Sequence, residues 1–435
     1  MRPYLQLELR SLLASRGLWV LLLLTGPLVG FSFVQAISLY NEVSRTAFAA
    51  PQMAAGLNPF DGVIIPAYGS IYLTLTLLFP FIAIRAISED KQSGALRLLL
   101  QIPFRYSALL SSKVAAMLFA WLLVELPGLL ALLLWSFYGG HLYAREILCL
   151  LLGQFLYGTM VIAISFVAAA AVETSSTAAL LALSCTLGSW VLDFAASGDS
   201  SWLRKFSRFS LTALLKPFEQ GLLVWNVVAC LVLGALALFA LTLLWWHPGR
   251  STFQKLIGSI GVLVVCSGLL FSLPRWERSV DLTEDQRHSF PSAVRASLQQ
   301  IRAPLRIEIY LAPEDPRFMD YDRSIVAKLK RVLPGIEIVN VGANQAALFK
   351  TAEDPNYGLI VYQLGTRRVE SRSTSPEEVL PLLWNLAAVT PPVVEEQTVY
   401  PGYPLAVRSP RAAELVFYFF WPAFCFAGWF LNSWR

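Results

Sequence analysis

Long apolar runs separated by short polar breaks fill most of this chain. The runs are close to the length a helix needs to cross a bilayer core about 30 Å thick. They predict spans near 18–38, 69–87, 114–137, 147–171, 177–195, 222–246, 257–274 and 412–432. After residue 274 the pattern changes to short alternating elements. SFPSAVRASLQQI reads as a helix with Ser289 or Ser292 as its cap, and LRIEIYLA alternates like a strand. DYDRSIVAKLKRVL is an amphipathic helix and IEIVNV a second strand. YGLIVYQLGTRRVESR reads as a hairpin around Gly365. SPEEVLPLLWNLAAV closes the region as a helix, with Ser375 ahead of an acidic first turn. Strands alternating with helices predict a small α/β domain.

Composition sharpens this picture. The chain has 435 residues, of which 56% are hydrophobic and only 14% charged, which excludes a soluble globular protein. The first apolar run lacks a small-residue cleavage site and is followed by further spans, so no cleavable signal peptide is expected. All five cysteines (Cys149, Cys185, Cys230, Cys266, Cys425) lie in apolar runs without a CxxC, and they read as small hydrophobes. His141, His247 and His288 have no ligand partners at useful spacing, so no metal site is expected.

Charge sets orientation. The start of the chain carries Arg2, Arg10 and Arg16, the loop after the second span Lys91, Arg97, Arg105 and Lys113, and the turn after the sixth span Arg250 and Lys255. The opposing segment 39–68 has only Arg45. Basic residues favour the cytoplasmic side, so eight spans place both termini there and the α/β domain outside. Segment 196–221, with Arg204, Lys205, Arg208 and Lys216, runs against this rule. Residues 275–411 hold 17 Lys/Arg and 17 Asp/Glu, a neutral mixed surface that gives no reason to expect nucleic acid.

The polar stretch AISEDKQSGALRLLLQIPFRYSALLSSK, residues 86–113, is the most informative break. Glu89 and Asp90 precede Gly94, and Ala95, Leu96, Leu98, Leu99 and Leu100 suit a short interfacial helix with Arg97 and Arg105 at the head groups. Anchored by a span on either side, such a segment can receive a push from a cytoplasmic partner. The plainer alternative is a solvated charged loop that only fixes topology.

ISEDKQSGALRLLLQIPFRYSALLSSKVAAMLFAWLL resembles the acidic–glycine segment of type-2 ABC exporter permeases, which lies between the second and third spans and contacts the ATPase subunit. The resemblance extends over the first six spans, including SSWLRKFSRFSLTALLKPFEQG, which in that family forms re-entrant or interfacial helices. It implies a coupling role for Glu89, Asp90, Gly94, Arg97 and Arg105. RWERSVDLTEDQRHSFPSAVRASLQQIRAPLRIEIYLAPED is similar to the start of the soluble region of the auxiliary subunit in gliding-motility-type ABC transporters, DLTEDQRHS above all. The chain thus resembles a gliding-type permease fused to a shortened auxiliary subunit. The divisions implied are a permease domain at 1–250, a seventh transmembrane helix at 251–274, a periplasmic α/β domain at 275–411 and a C-terminal transmembrane helix at 412–435. In that domain Asp281, Thr283, Tyr357 and Arg367 mark the expected docking region.

The resemblance implies a multi-pass protein of the bacterial inner membrane. Its implied partners are a cytoplasmic ABC ATPase dimer, a second copy of itself or a related permease, a periplasmic protein and membrane lipids. The chain has no GxxxxGK[ST] phosphate loop, so ATP and Mg are expected on the separate ATPase, with no cofactor and no catalytic residue here. The expected fold is an α-helical polytopic membrane protein with a six-helix permease core and a small extracytoplasmic α/β domain. Glu125 lies mid-span, where an ionisable group is costly and must face protein or water. It reads either as a polar contact on a path or dimer interface or as a packing pair with a neighbouring helix. Glu173 and Asp193 sit near span ends, at head-group level. Two further functions stay open: a membrane-anchored scaffold that binds a periplasmic partner without transport, and a secondary transporter or intramembrane enzyme using Glu125. The latter lacks a second mid-span carboxylate or histidine. The free edges of the α/β domain, with the strand near YGLIVYQ among them, are expected to accept a partner strand.

Overall fold

The computed structural model describes residues 2–50, 54, 56–101, 106–195, 207, 209–247, 249–272, 279–301, 304–312, 315–333, 335–341, 356–392, 400–407 and 409–433. The chain forms two units, one of Met1–Arg278 with Pro401–Arg435 and one of Ser279–Tyr400. Among the described residues eight helices are long and apolar enough to cross a membrane: Arg16–Ala49, Phe60–Gln92, Tyr106–Phe137, Ala144–Ala171, Ser175–Asp193, Trp225–Trp246, Thr252–Leu270 and Arg411–Asn432. The fold is therefore that of a helical polytopic membrane protein carrying a small α/β unit.

The membrane unit begins with α1 (Arg2–Ala14), and Ser15 separates it from α2 (Arg16–Ala49). The second span enters through a π-turn, Phe60–Ile64, then continues as α3 (Ile65–Leu77) and α4 (Phe79–Gln92). Its break has a covalent cause: Pro80 has no N–H to give Thr76. The freed Thr76 carbonyl accepts a hydrogen bond from the Thr186 hydroxyl at 3.3 Å, so the polar group left by the proline is satisfied from another span. A short α5 (Ala95–Gln101) precedes α6 (Tyr106–Phe137), α7 (Ala144–Ala171) and α8 (Ser175–Ala195). The amphipathic stretch between the fifth and sixth spans contains α9 (Leu211–Glu219), capped by the Ser210 side chain, which accepts from the Ala213 N–H at 3.0 Å. An extended piece, β1 (Leu222–Val224), leads into α10 (Trp225–Trp246) and then α11 (Thr252–Ser272). No residue in the apolar window of α11 is fully buried within the protein; one face, with Gly258 and Cys266, lies against α10, and the rest presents apolar side chains outward, as suits contact with lipid.

The last helix, α16 (Arg411–Leu415) continuing through a π-turn into α17 (Trp421–Ser433), is more than a tether. It packs along α2, where Gly26 and Gly30 form a small-xxx-small pair. A Cβ on Gly26 would lie 2.0 Å from Trp421 Cδ1, and one on Gly30 2.4 Å from Phe417 Cβ. Residues 401–407, assigned from sequence to the α/β domain, belong instead to the membrane unit and are pinned to the far end of α2. Asn41 donates to Val407 O at 2.7 Å and accepts from Val407 N at 2.6 Å. Leu405 N donates to Ser44 Oγ at 3.1 Å, and Tyr40 to Tyr403 O at 2.7 Å.

The second unit opens with β2 (Ser279–Asp281) and α12 (Ser292–Leu298). Neither expected serine caps that helix. Pro291 holds the N-cap position, where its ring has no group to accept a hydrogen bond, and Ser292 is the first helical residue. β3 (Leu305–Ile309) follows, then α13 (Pro316–Tyr321), which runs through Asp322–Val326 into α14 (Ala327–Val332), then β4 (Glu337–Asn340). β5 (Ile360–Leu364) and β6 (Arg367–Ser371) form the expected hairpin with Gly365 at φ +61°, and α15 (Pro376–Ala387) closes the unit behind Ser375. The sheet order is β4-β3-β5-β6, with β3 parallel to β4 and the other pairs antiparallel. Alternation in β3 turns Leu305, Ile307 and Ile309 to one face, where they join Ile360 and Tyr362 under Val294, Leu298, Ile325, Leu329, Val379 and Leu383 of the helices. The strand near YGLIVYQ is β5. It is hydrogen-bonded on both sides and has no free edge to offer a partner; among the described residues the edges are β4 and β6.

Candidate coupling site

The break at 86–113 folds as the end of α4, a glycine turn, α5 and the start of α6. Gly94 has φ +78°, the left-handed conformation that ends a helix cheaply only without a Cβ. Ser93 N donates to Glu89 O at 2.9 Å and Gly94 N to Lys91 O at 3.4 Å, so the turn satisfies the last carbonyls of α4. Beyond it α5 turns Leu96 inward, 6% exposed, and Leu98 outward, 67% exposed.

The two acids before the glycine take different roles. Asp90 is committed inward: its Oδ2 accepts from Lys113 Nζ at 2.6 Å. The same ammonium donates to Glu8 Oε1 at 2.7 Å and to Ala86 O at 2.7 Å, and the Lys113 side chain is only 1% exposed. Three donors and three acceptors are thus matched, as a buried ammonium requires. One lysine on α6 staples α1 to the end of α4. Glu89 faces the other way. It pairs with Arg85 one turn back, both side chains stay about half exposed, and Arg85 also reaches Ser15 Oγ at 3.4 Å, between α1 and α2. Lys91 turns to a different neighbour, donating to Val172 O at 2.6 Å and Ala170 O at 3.1 Å, where the last carbonyls of α7 lack partners of their own. Arg85, Glu89 and Gln92 then line one side of a cleft of about 340 Å³, with Ser175 and Ser176 at the start of α8 on the other.

Of the expected coupling residues, Glu89, Asp90 and Gly94 therefore lie in one turn. Arg97 is on α5, but its side chain, like the whole of Arg105, lies outside the described residues. Sequence reading counted Lys91 and Lys113 only as topological charges and passed over Glu8. The available signal was a lysine inside the apolar run of α6, which needs an anion, and a glutamate on the amphipathic segment YLQLELRSLLA, which supplies one.

Glu125 is 2% exposed on α6; neither carboxylate oxygen makes a hydrogen bond of normal geometry, and the Trp121 indole N–H one turn back is its nearby donor. In the α/β unit the four expected docking residues are dispersed. Asp281 accepts from Thr283 N at 3.1 Å, from the Thr283 hydroxyl at 2.5 Å and from His288 N at 3.0 Å, so Asp281 and Thr283 shape one turn. Arg331 donates to His288 O in the same turn, and burial pushes the His288 imidazole down to about 4. Tyr357 donates to Asp315 Oδ2 at 2.8 Å, and the Arg317 guanidinium bonded to Asp315 holds that carboxyl down to about 2. Arg367 donates to Leu386 O at 3.2 Å and caps α15. Tyr357 precedes β5, whereas Arg367 pairs with Leu364 at its other end, so these two are not brought together.

Comparison with known families bears on the first of these sites. Residues 5–192 match the model of the ABC-2 family transporter protein. No curated protein and no solved structure matches the chain. The matched region supports a type-2 ABC permease and takes in α1, Lys113, the Gly94 turn and the start of α8. It ends within the fifth span, one span short of the six expected from sequence, and leaves α9–α11, the α/β unit and the last helix outside. Within the matched region Glu89 keeps an exposed side chain while Asp90, the next residue, is anchored to the buried Lys113.

Proposed function

We propose that the chain is the membrane subunit of an ATP-driven type-2 ABC transporter, coupling a separate cytoplasmic ATPase dimer to export or to a force on an outer component. The observation that carries this reading is the family match over a segment where Glu89, Gln92 and Leu98 are presented while Asp90 is locked to Lys113. A docking partner meets Glu89 and α5. Its movement passes into α1 and α6 through the Lys113 staple and into α7 through Lys91. ATP and Mg reside on the ATPase, which leaves this subunit without catalytic chemistry. Both termini lie on the cytoplasmic face of the bacterial inner membrane. Ser279–Tyr400 is the periplasmic docking domain, and its DLTEDQRHS turn supports kinship with the auxiliary subunit of gliding-motility-type transporters. A second copy of the chain completes the permease pair.

ATP turnover of the complex, purified in lipid with its cognate ATPase, tests the proposal. Glu89→Ala combined with Gly94→Leu is expected to release or uncouple the ATPase. If no nucleotide-binding chain associates, or turnover is untouched, the loop is a topological anchor and a scaffold role takes precedence.

A further inference from the structure

Among the described residues of the membrane unit, four polar side chains besides Trp246 are more than nine-tenths buried and carry unpartnered atoms. Glu125 makes no hydrogen bond of normal geometry at either oxygen, Gln154 none at its amide atoms and Tyr68 none at its hydroxyl, and the Trp121 indole N–H, equally without one, turns toward the Glu125 carboxyl one turn on. They come from three adjoining helices, α3, α6 and α7. Trp121, Glu125 and Gly128 follow at i, i+4 and i+7, one face of α6. The Tyr68 hydroxyl, from α3, lies 3.1 Å from the position of a Cβ on Gly128, one turn from Glu125. On α7 the Trp121 indole lies against Gly158, with Nε1 2.7 Å from the position of its Cβ, and stacks edge-on with Phe155 at 5.3 Å. α6 and α7 are consecutive spans running in opposite directions. One turn beyond Trp121 on α6 is Glu125, and one turn before Gly158 on α7 is Gln154, so the two residues stand at the same level on packed antiparallel helices.

Buried polar groups of native proteins are nearly always satisfied, so a carboxylate, an amide and a phenol left without hydrogen bonds on adjoining helices call for a guest. We infer that Glu125, Gln154 and Tyr68 form an internal site for a small monovalent cation, a proton or an alkali-metal ion. The carboxylate supplies the single charge and the amide and phenol oxygens the neutral ligands. All three donate hard oxygen, the class alkali ions take, and one negative charge calls for one positive charge. Trp121, a donor only, is left to orient the carboxylate. No basic side chain from α1, α2, α3, α7, α10 or the last helix, the elements packed on α6, forms an ion pair with Glu125 among the described residues. The titratable group facing it from α3 is Tyr68; α7 opposes it with Gln154 and Gly158, which do not titrate. The site is independent of the ATPase reading and can fail or hold without it.

The full chain in zwitterionic lipid vesicles is unfolded thermally while sodium replaces choline at constant ionic strength. An alkali-ion site raises the wild-type unfolding temperature with the logarithm of sodium concentration, and Glu125→Gln abolishes the shift. A proton site gives no sodium dependence. Instead, the infrared band of an un-ionised carboxyl is present in wild type at neutral pH and lost in Glu125→Gln. Gln154→Leu, which keeps the carboxyl, weakens whichever signature is seen and serves if Glu125→Gln does not fold. A wild-type carboxylate that is ionised and indifferent to sodium, or a Gln154→Leu variant identical to wild type, overturns the inference.

Discussion

Replacing Lys113 by methionine keeps most of the side-chain volume and removes the ammonium. The structure sets the size of the effect. Lys113 is 1% exposed and gives up hydrogen bonds to Glu8, Asp90 and Ala86 O, while the Glu8 and Asp90 side chains, 12% and 29% exposed, lose their counter-charge. Removing one partner of a buried ion pair costs roughly 3–5 kcal/mol, because the remaining charge is stranded. Partial exposure lets water reach the two carboxylates, so the lower end, about 3 kcal/mol, is expected. Neutralising the group together, Lys113→Met with Glu8→Gln and Asp90→Asn, removes the stranded charges and recovers most of that loss, to within about 1 kcal/mol of wild type. Unfolding of the full chain in mixed lipid–SDS micelles measures both. A single variant within about 0.5 kcal/mol of wild type, the range of ordinary surface changes, contradicts a staple. So does a triple variant that simply adds three losses.

Other expectations follow from the same contacts. Gly94→Ala places a Cβ at φ +78° and is expected to cost about 1 kcal/mol by the same unfolding assay, although nothing lies within 4 Å of that position. Gly30→Leu drives a side chain into Phe417 and is expected to loosen the last helix, read as faster hydrogen exchange in 411–433; unchanged protection there contradicts the packing on α2. The α/β unit is expected to weaken in acid. The His288 folded value of about 4 lies below the ordinary 6.5, so the unfolded chain binds the extra proton between those values. Stability is full above pH 6.5 and falls by up to about 3 kcal/mol as pH drops through 4. His288→Asn is expected to flatten that slope in the denaturant midpoint of β3–β5 amide protection, and a slope equal to wild type assigns the acid sensitivity elsewhere.

Much of the fold was legible because lipid leaves little choice: runs of apolar residues near bilayer length can only be helices or barrels, and eight were countable. The α/β elements were also readable, because period-two alternation in LRIEI and the glycine between IVYQL and RRVES leave few alternatives. What stayed hidden depends on pairs distant in sequence. Glu8, Asp90 and Lys113 meet only after three helices pack, and Asn41 finds Val407 across most of the chain. Strand order is likewise a tertiary fact, which is why β5 read as an edge and proved interior. At the coupling site the residue types were legible, Gly94 by its turn and Glu89 and Asp90 by their charge. Their division into an exposed acid and a stapled one was not.

Photo-crosslinking from single positions in the coupling segment is the measurement to make. Reactive side chains at Gln92 and Leu98, one lining the cleft and one outward on α5, are expected to capture a nucleotide-hydrolysing chain from the purified complex, while Leu96, turned inward, captures none. Equal capture from all three, or an ATPase that crosslinks only elsewhere, contradicts the assignment of this turn as the place where ATP hydrolysis enters the membrane.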